Sequence, residues 1–109
     1  MAPDIYRELS RIDLTDKGEN KLNLFKYLLL SGYIEDINSP SKYKPKYDNE
    51  KWLIKFMYMH YWVSKDLLTP VQWKELFSWV YFDIIGQDKL DEMGYNPYNN
   101  ELLKGAPTP

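Results

Sequence analysis

The sequence predicts an all-α fold: a small single-domain bundle of three main helices with short helices at the ends. Two observations predict it. A complete set of helix-start features sits at 68–73, and apolar residues recur every three or four positions in three separate windows.

The leading element is short. Ile5, Leu9 and Ile12 follow Asp4 at helical spacing. The first main helix is predicted over 17–31. Asp16-Lys17-Gly18-Glu19 can form a capping box, Leu22, Phe25 and Leu29 make an apolar stripe with Leu28 beside it, and Ser31-Gly32 reads as its end. The connection over 33–48 is then the longest irregular segment.

The second main helix, over 50–64, is apolar almost all the way round. Trp52, Phe56, Met59 and Val63 form one stripe and Leu53, Met57 and Tyr61 its neighbour, with Lys51 and Lys55 on a wet side. A helix of that kind is expected at the centre of a bundle, wrapped by the others. Asp48 or Asn49 is its expected cap. The short connection over 64–68 makes it an antiparallel hairpin with the helix that follows.

That third helix, over 70–85, has the strongest local signal. Thr69 and Gln72 are placed to cap each other's amides, Pro70 takes the first helical position, and Leu68 and Trp73 occupy the staple positions. Trp73, Leu76, Phe77, Val80 and Ile84 continue the stripe to a left-handed stop at Gly86. Trp79 and Phe82 lie off it, so they either widen the buried face or stay open to a partner. The resemblance of Leu24-Phe25-Lys26-Tyr27 to Leu76-Phe77-Ser78-Trp79 reflects two helices built by the same rules.

Residues 88–93 read as one or two acidic turns ended by Gly94. The domain is expected to run over 1–94, leaving 95–109 as a weakly structured C-terminal tail with turn chemistry at Asn96-Pro97. Tyr95, Tyr98, Leu102 and Leu103 either fold back over the aromatic hairpin, the favoured reading, or dock as a linear peptide in another protein's groove.

Composition excludes several functions. With no cysteine, the chain has no disulfide, thiolate nucleophile or cysteine-ligated zinc, which fits a reducing compartment. Fourteen Lys and Arg against 16 Asp and Glu give no general attraction to nucleic acid or anionic membrane. No window approaches the ~20 apolar residues of a membrane span, and Met1-Ala2-Pro3-Asp4 lacks the pattern of a signal peptide, so a cytoplasmic protein is expected. Alanine occurs only at Ala2 and Ala106 while Asn, Lys, Tyr and Ile are common, a bias that suggests an AT-rich coding sequence as in many small bacterial or phage genomes.

Catalytic chemistry finds little footing. His60 is the sole histidine and has no carboxylate three or four positions away on its helix; Asp66, six residues on, is on the wrong face. Asp88, Asp91 and Glu92 do not match a calcium loop and read as a solvated helix face. No phosphate cradle, nucleophile elbow or dinucleotide fingerprint is present. The expectation is no enzyme, no cofactor, no metal and no small-molecule substrate.

Two constellations remain. Lys42, Tyr43, Lys44, Lys46 and Tyr47 alternate cations and rings in a proline-stiffened connection, as a single-stranded nucleic acid site would. The plainer alternatives are a wet loop whose tyrosines lie over the core, or a protein contact. A helix-turn-helix reading of 28–34, with a turn and short strand, meets a poor recognition helix, because Lys74 is the cation the 70–85 helix offers amid Trp, Glu and Asp.

The other constellation is aromatic. All four tryptophans fall between Trp52 and Trp79, and each large ring hides on the order of 150–250 Å². That supply exceeds what three short helices bury, leaving Tyr58, Trp62, Trp79 and Phe82 as the expected docking patch. The leading expectation is a non-enzymatic interaction module, a small accessory or regulatory protein, docking on a larger cytoplasmic assembly or on itself. A nucleic-acid-binding regulator using 42–47 is the alternative.

Overall fold

The computed structural model describes residues 5–13, 20–39 and 44–103, and among them the chain is helical with no strand. Helix α1 spans Ile5–Ser10, α2 Asn20–Ile37, α3 Asp48–Val63 and α4 Pro70–Ser78. From α4 the helix continues without a break into a π-helical stretch, Trp79–Ile85, and α5 follows over Gln87–Met93. Short 3-10 turns lie at Lys65–Leu67 and Pro97–Asn99. The all-α class is as the sequence predicts. The capping box expected over 16–19 lies outside the described residues.

Side-chain pairings give the topology. Tyr33 and Phe25 of α2 meet Glu50 and His60 of α3, so these two helices run antiparallel. Tyr61 and Tyr58 of α3 meet Trp73 and Phe77 of α4, so α3 and α4 form the expected antiparallel hairpin. Tyr6 of α1 reaches Asn38 just past α2, closing an up-down arrangement.

The start of α4 is built as the sequence implies. Gln72 N–H donates to Thr69 Oγ1 at 3.1 Å, and Thr69 N–H donates to Gln72 Oε1 at 2.9 Å. Two free amides of the first turn are thereby satisfied, a contribution of roughly 1 kcal/mol. Gly86, at φ 91°, ends the run, its N–H reaching back five residues to the Tyr81 carbonyl.

Three local expectations are corrected. First, α2 does not stop at Ser31-Gly32 but continues to Ile37, so no turn and strand follow Leu30. Gly32 serves close approach rather than termination: a Cβ there would come within 2.4 Å of the Trp52 ring. Second, neither Asp48 nor Asn49 caps α3. The chain enters through a turn in which Asp48 N–H bonds the Pro45 carbonyl, and Tyr47 takes a left-handed conformation at φ 67°. Third, the 70–85 helix is α only as far as Ser78. The wider turns beyond bring Trp79, Val80, Tyr81, Ile84 and Ile85 all into the core, a broader face than an α-helix offers.

The central element is also not the one expected. Trp73, Leu76, Phe77, Val80 and Tyr81 are essentially fully buried, whereas α3 buries Leu53, Ile54 and Met57 along one side. Lys51, Lys55, Met59 and Trp62 form an outward stripe. Both α2 and the α4–π rod pack against the inner side of α3, so its apolar outer residues are left uncovered. The middle of the body is the rod over 70–85.

Pro97 and Leu103 are fully buried and Asn100 nearly so, so residues 95–103 pack against the described helices. Tyr95 packs on Tyr81 and Tyr98 on Phe82, the fold-back arrangement.

Candidate functional site

The four aromatics expected as a docking patch do not make one open surface. Trp79 is 9% exposed, rotated inward by the π-helical turn, with Lys26 Nζ 5.4 Å from its ring centroid. Phe82 is half-buried against Tyr98. Tyr58 is half-buried too, its ring against Phe77 and its hydroxyl accepting from Tyr81 at 3.3 Å and from Asn100 at 2.7 Å. Only Trp62 of the four is open, at 70% exposure.

Around Trp62, however, the chain exposes further apolar residues, Met59 and Val63 of the predicted apolar stripe among them. Met59, Val63, Leu67 and Val71 are all exposed, Val63 at 84%. They occupy the last turn of α3, the 3-10 turn and the first turn of α4, one corner of the hairpin. Met59, Trp62 and Val63 share a helix face by their spacing of three and four. Beneath this corner the scaffold is fixed: Trp73, 1% exposed, donates its indole N–H to the Lys65 carbonyl at 2.8 Å. The signal was present in the sequence, because extending Lys51 and Lys55 by helical steps reaches Met59 and then Trp62.

In the lysine-tyrosine loop, two of the described residues make contacts with other elements. Lys42 and Tyr43 lie outside the described residues. Lys44 Nζ donates to the Asp36 carboxylate and to the Asp36 carbonyl, both at 2.7 Å, and is mostly buried. Tyr47 donates its hydroxyl to Glu92 at 2.6 Å while Lys46 lies 4.7 Å over its ring. One ring face and the polar end of Tyr47 are thus occupied, and Lys44 is held away from solvent. Of the described loop residues, Lys44 and Tyr47 are tied to the body and Lys46 is exposed.

A groove of about 590 Å³ runs between α1, α2 and the π-helical stretch, with Trp79 and Phe82 in its floor. Its cations are already engaged, Arg11 with Glu8 at 3.0 Å and Lys26 with the Trp79 ring and, at 3.9 Å, with Glu75. Asp83 adds an exposed acid. With charge of both signs in the walls, the groove selects no one ligand chemistry.

Two buried polar groups tie helices together. The Glu50 carboxylate, 6% exposed, accepts from the Tyr33 hydroxyl at 3.2 Å and from Lys89 Nζ at 3.0 Å, joining α2, α3 and α5. Burial, with Glu50 beside it, holds the Tyr33 phenol far above its ordinary range. The Tyr81 hydroxyl lies 3.3 Å from that of Tyr58 and 3.2 Å from that of Tyr95, and burial likewise raises it. Each of these hydroxyls has a hydrogen-bond partner, as a structural network requires.

His60 sits edge-on to Phe25 at 5.3 Å and to Phe56 at 4.4 Å. Its Nε2 is buried without a hydrogen-bond partner, and burial lowers its pKa. Among the described residues no group of three or more His, Asp or Glu side chains could hold a metal ion, and no helix is long and apolar enough to cross a membrane. No protein-family model, curated protein or solved structure matches the chain.

Proposed function

We propose that the protein is a non-enzymatic interaction module, a small accessory or regulatory protein of the cytoplasm that works by docking on a protein surface. The docking surface is the corner formed by Met59, Trp62, Val63, Leu67 and Val71. One observation carries this reading: Trp62 and Val63, adjacent on the last turn of α3, are 70% and 84% exposed. Tryptophan is a favoured interface anchor, and a cluster of large apolar side chains open to water marks an interaction site more often than a lone one does. The rigid seat below, with Trp73 buried and bonded to the turn, holds the cluster in place at little ordering cost on binding.

The test compares baits. The full chain and its Trp62→Ala and Val63→Asp variants are immobilised and exposed to native lysate. Both variants are expected to keep their helicity and melting temperature and to lose retained protein. Identical retention by all three baits overturns the reading.

A further inference from the structure

The outer side of α3 is an unpartnered helix face, charged at one end and apolar at the other. Lys51, Lys55, Met59 and Trp62 are all exposed and follow one another at helical spacing. At a rise of about 1.5 Å per residue the stripe runs for about 16 Å. Val63 lies beside its far end, where the corner begins.

The lysines of this stripe differ from others on the body. Lys26, Lys44 and Lys89 each reach a carboxylate, of Glu75, Asp36 and Glu50 respectively. Among the described residues, neither Lys51 nor Lys55 has an acid within ion-pair distance. The local balance is lopsided too. From Lys51 to Lys74 the sequence holds four lysines and a single acid, Asp66, although the whole chain carries more acids than bases.

Uncompensated cations that continue into apolar side chains are complementary to an anionic, amphipathic partner. The form of the stripe selects among such partners. It is one helix wide and repeats at three and four residues, the spacing an opposing helix matches. It offers one ring, Trp62, where successive bases of a single strand would stack on several.

We propose that the outer face of α3 receives an acidic amphipathic helix of a partner protein, its carboxylates over Lys51 and Lys55 and its apolar side chains against Met59, Trp62 and Val63. The proposal rests on the reading of the corner as a docking surface and gives the partner's chemistry.

A labelled helical peptide, with glutamates along one half of a face and leucines along the other, tests it by fluorescence anisotropy against the full chain. Binding is expected, and is expected to weaken as salt is raised and exposed charges are screened. The double variant Lys51→Glu with Lys55→Glu should keep its helicity and bind this peptide roughly tenfold more weakly or worse. It should instead prefer the same peptide with lysines in place of the glutamates. Trp62→Ala should weaken both pairings.

No binding of the glutamate peptide at low salt overturns the proposal, as does equal binding of the lysine peptide by the wild type. Tighter binding of phosphatidylserine vesicles or of a single-stranded oligonucleotide overturns it in favour of that class. A chain that sediments as a dimer and excludes the peptide assigns the face to a second copy. The bait comparison keeps the two readings apart. If Trp62→Ala loses a retained protein while the glutamate peptide fails to bind, the docking corner stands and the acidic helix falls; if it loses none and the peptide fails, both fall.

Discussion

The ring of Trp52 lies over Gly32 with so little clearance that a Cβ at position 32 would come within 2.4 Å of its Cη2. The same indole stacks on Phe56, centroids 4.8 Å apart. Glycine at 32 therefore sets how closely α2 and α3 approach. A bulky replacement has to displace an aromatic stack.

Gly32→Val is expected to destabilise the fold by about 1–3 kcal/mol, the usual cost of overpacking. Gly32→Ala costs less, since alanine regains up to about 1 kcal/mol of helix propensity. Removing the obstacle should relieve the clash. The double variant Gly32→Val with Trp52→Ala then loses less than the sum of the two singles. Urea denaturation of the four proteins measures the difference, and strict additivity refutes the contact.

The buried tyrosines predict an alkaline limit to stability. Burial, with Glu50 near Tyr33 and neighbouring hydroxyls near Tyr81, raises both phenols above the ordinary value of 10.0, and burial raises Tyr95 as well. Below pH 10 these groups are protonated in folded and unfolded chains alike. As pH rises through 10, the unfolded chain ionises first and unfolding is favoured. Urea midpoints should hold steady to about pH 9 and fall above about pH 10. Tyr81→Phe should lose about 1 kcal/mol at neutral pH, from the missing hydroxyl contacts, and show a shallower alkaline fall.

His60 predicts the opposite edge. Burial among Phe25 and Phe56 lowers its pKa below 6.5, so the fold favours the neutral ring. The stability it confers is complete above pH 6.5 and is lost as pH falls through the depressed folded value, because the unfolded chain takes the proton first. Melting temperatures between about pH 7 and pH 5 should decline in the wild type. His60→Phe, which keeps a ring between its two neighbours, should flatten that decline. An unchanged slope removes His60 as its source.

Local chemistry explains which elements were legible. The start of α4 is written in side chains that act within four residues of each other and reads correctly from the sequence; the stop at Gly86 is placed correctly, but at φ 91° and ψ 148° it is extended rather than left-handed helical. Gly32 looks like a stop by the same logic, yet its role depends on Trp52 in another helix. The inward turn of Trp79 depends on a π-helical stretch, which apolar spacing at a 3.6 period does not disclose. The exposure of the four docking-patch aromatics was not legible for a related reason. Aromatic surplus was legible, but which rings face water depends on α3 being packed from one side only, and that is a property of the assembled bundle. Lys44 and Tyr47 were legible as a cation and a ring; their engagement by Asp36 and Glu92 was not, since those partners sit on α2 and α5.

Residues 95–103 should behave as core. Leu103 is 1% exposed, Pro97 is fully buried, and Asn100 accepts from Leu102 N–H at 2.7 Å while donating to the Tyr58 hydroxyl at 2.7 Å. Leu103→Ala is expected to cost about 2–4 kcal/mol, the penalty of a cavity in a packed interior. A peripheral tail would give less than about 0.5 kcal/mol. Asn100→Ala should cost about 1–2 kcal/mol, because it leaves the Tyr58 hydroxyl short of a donor. A chain ending at residue 94 loses all of these contacts, so its melting temperature should lie below that of Leu103→Ala. Thermal melts of the three variants decide whether this segment closes the body, and a truncated chain as stable as the full one would show that it does not.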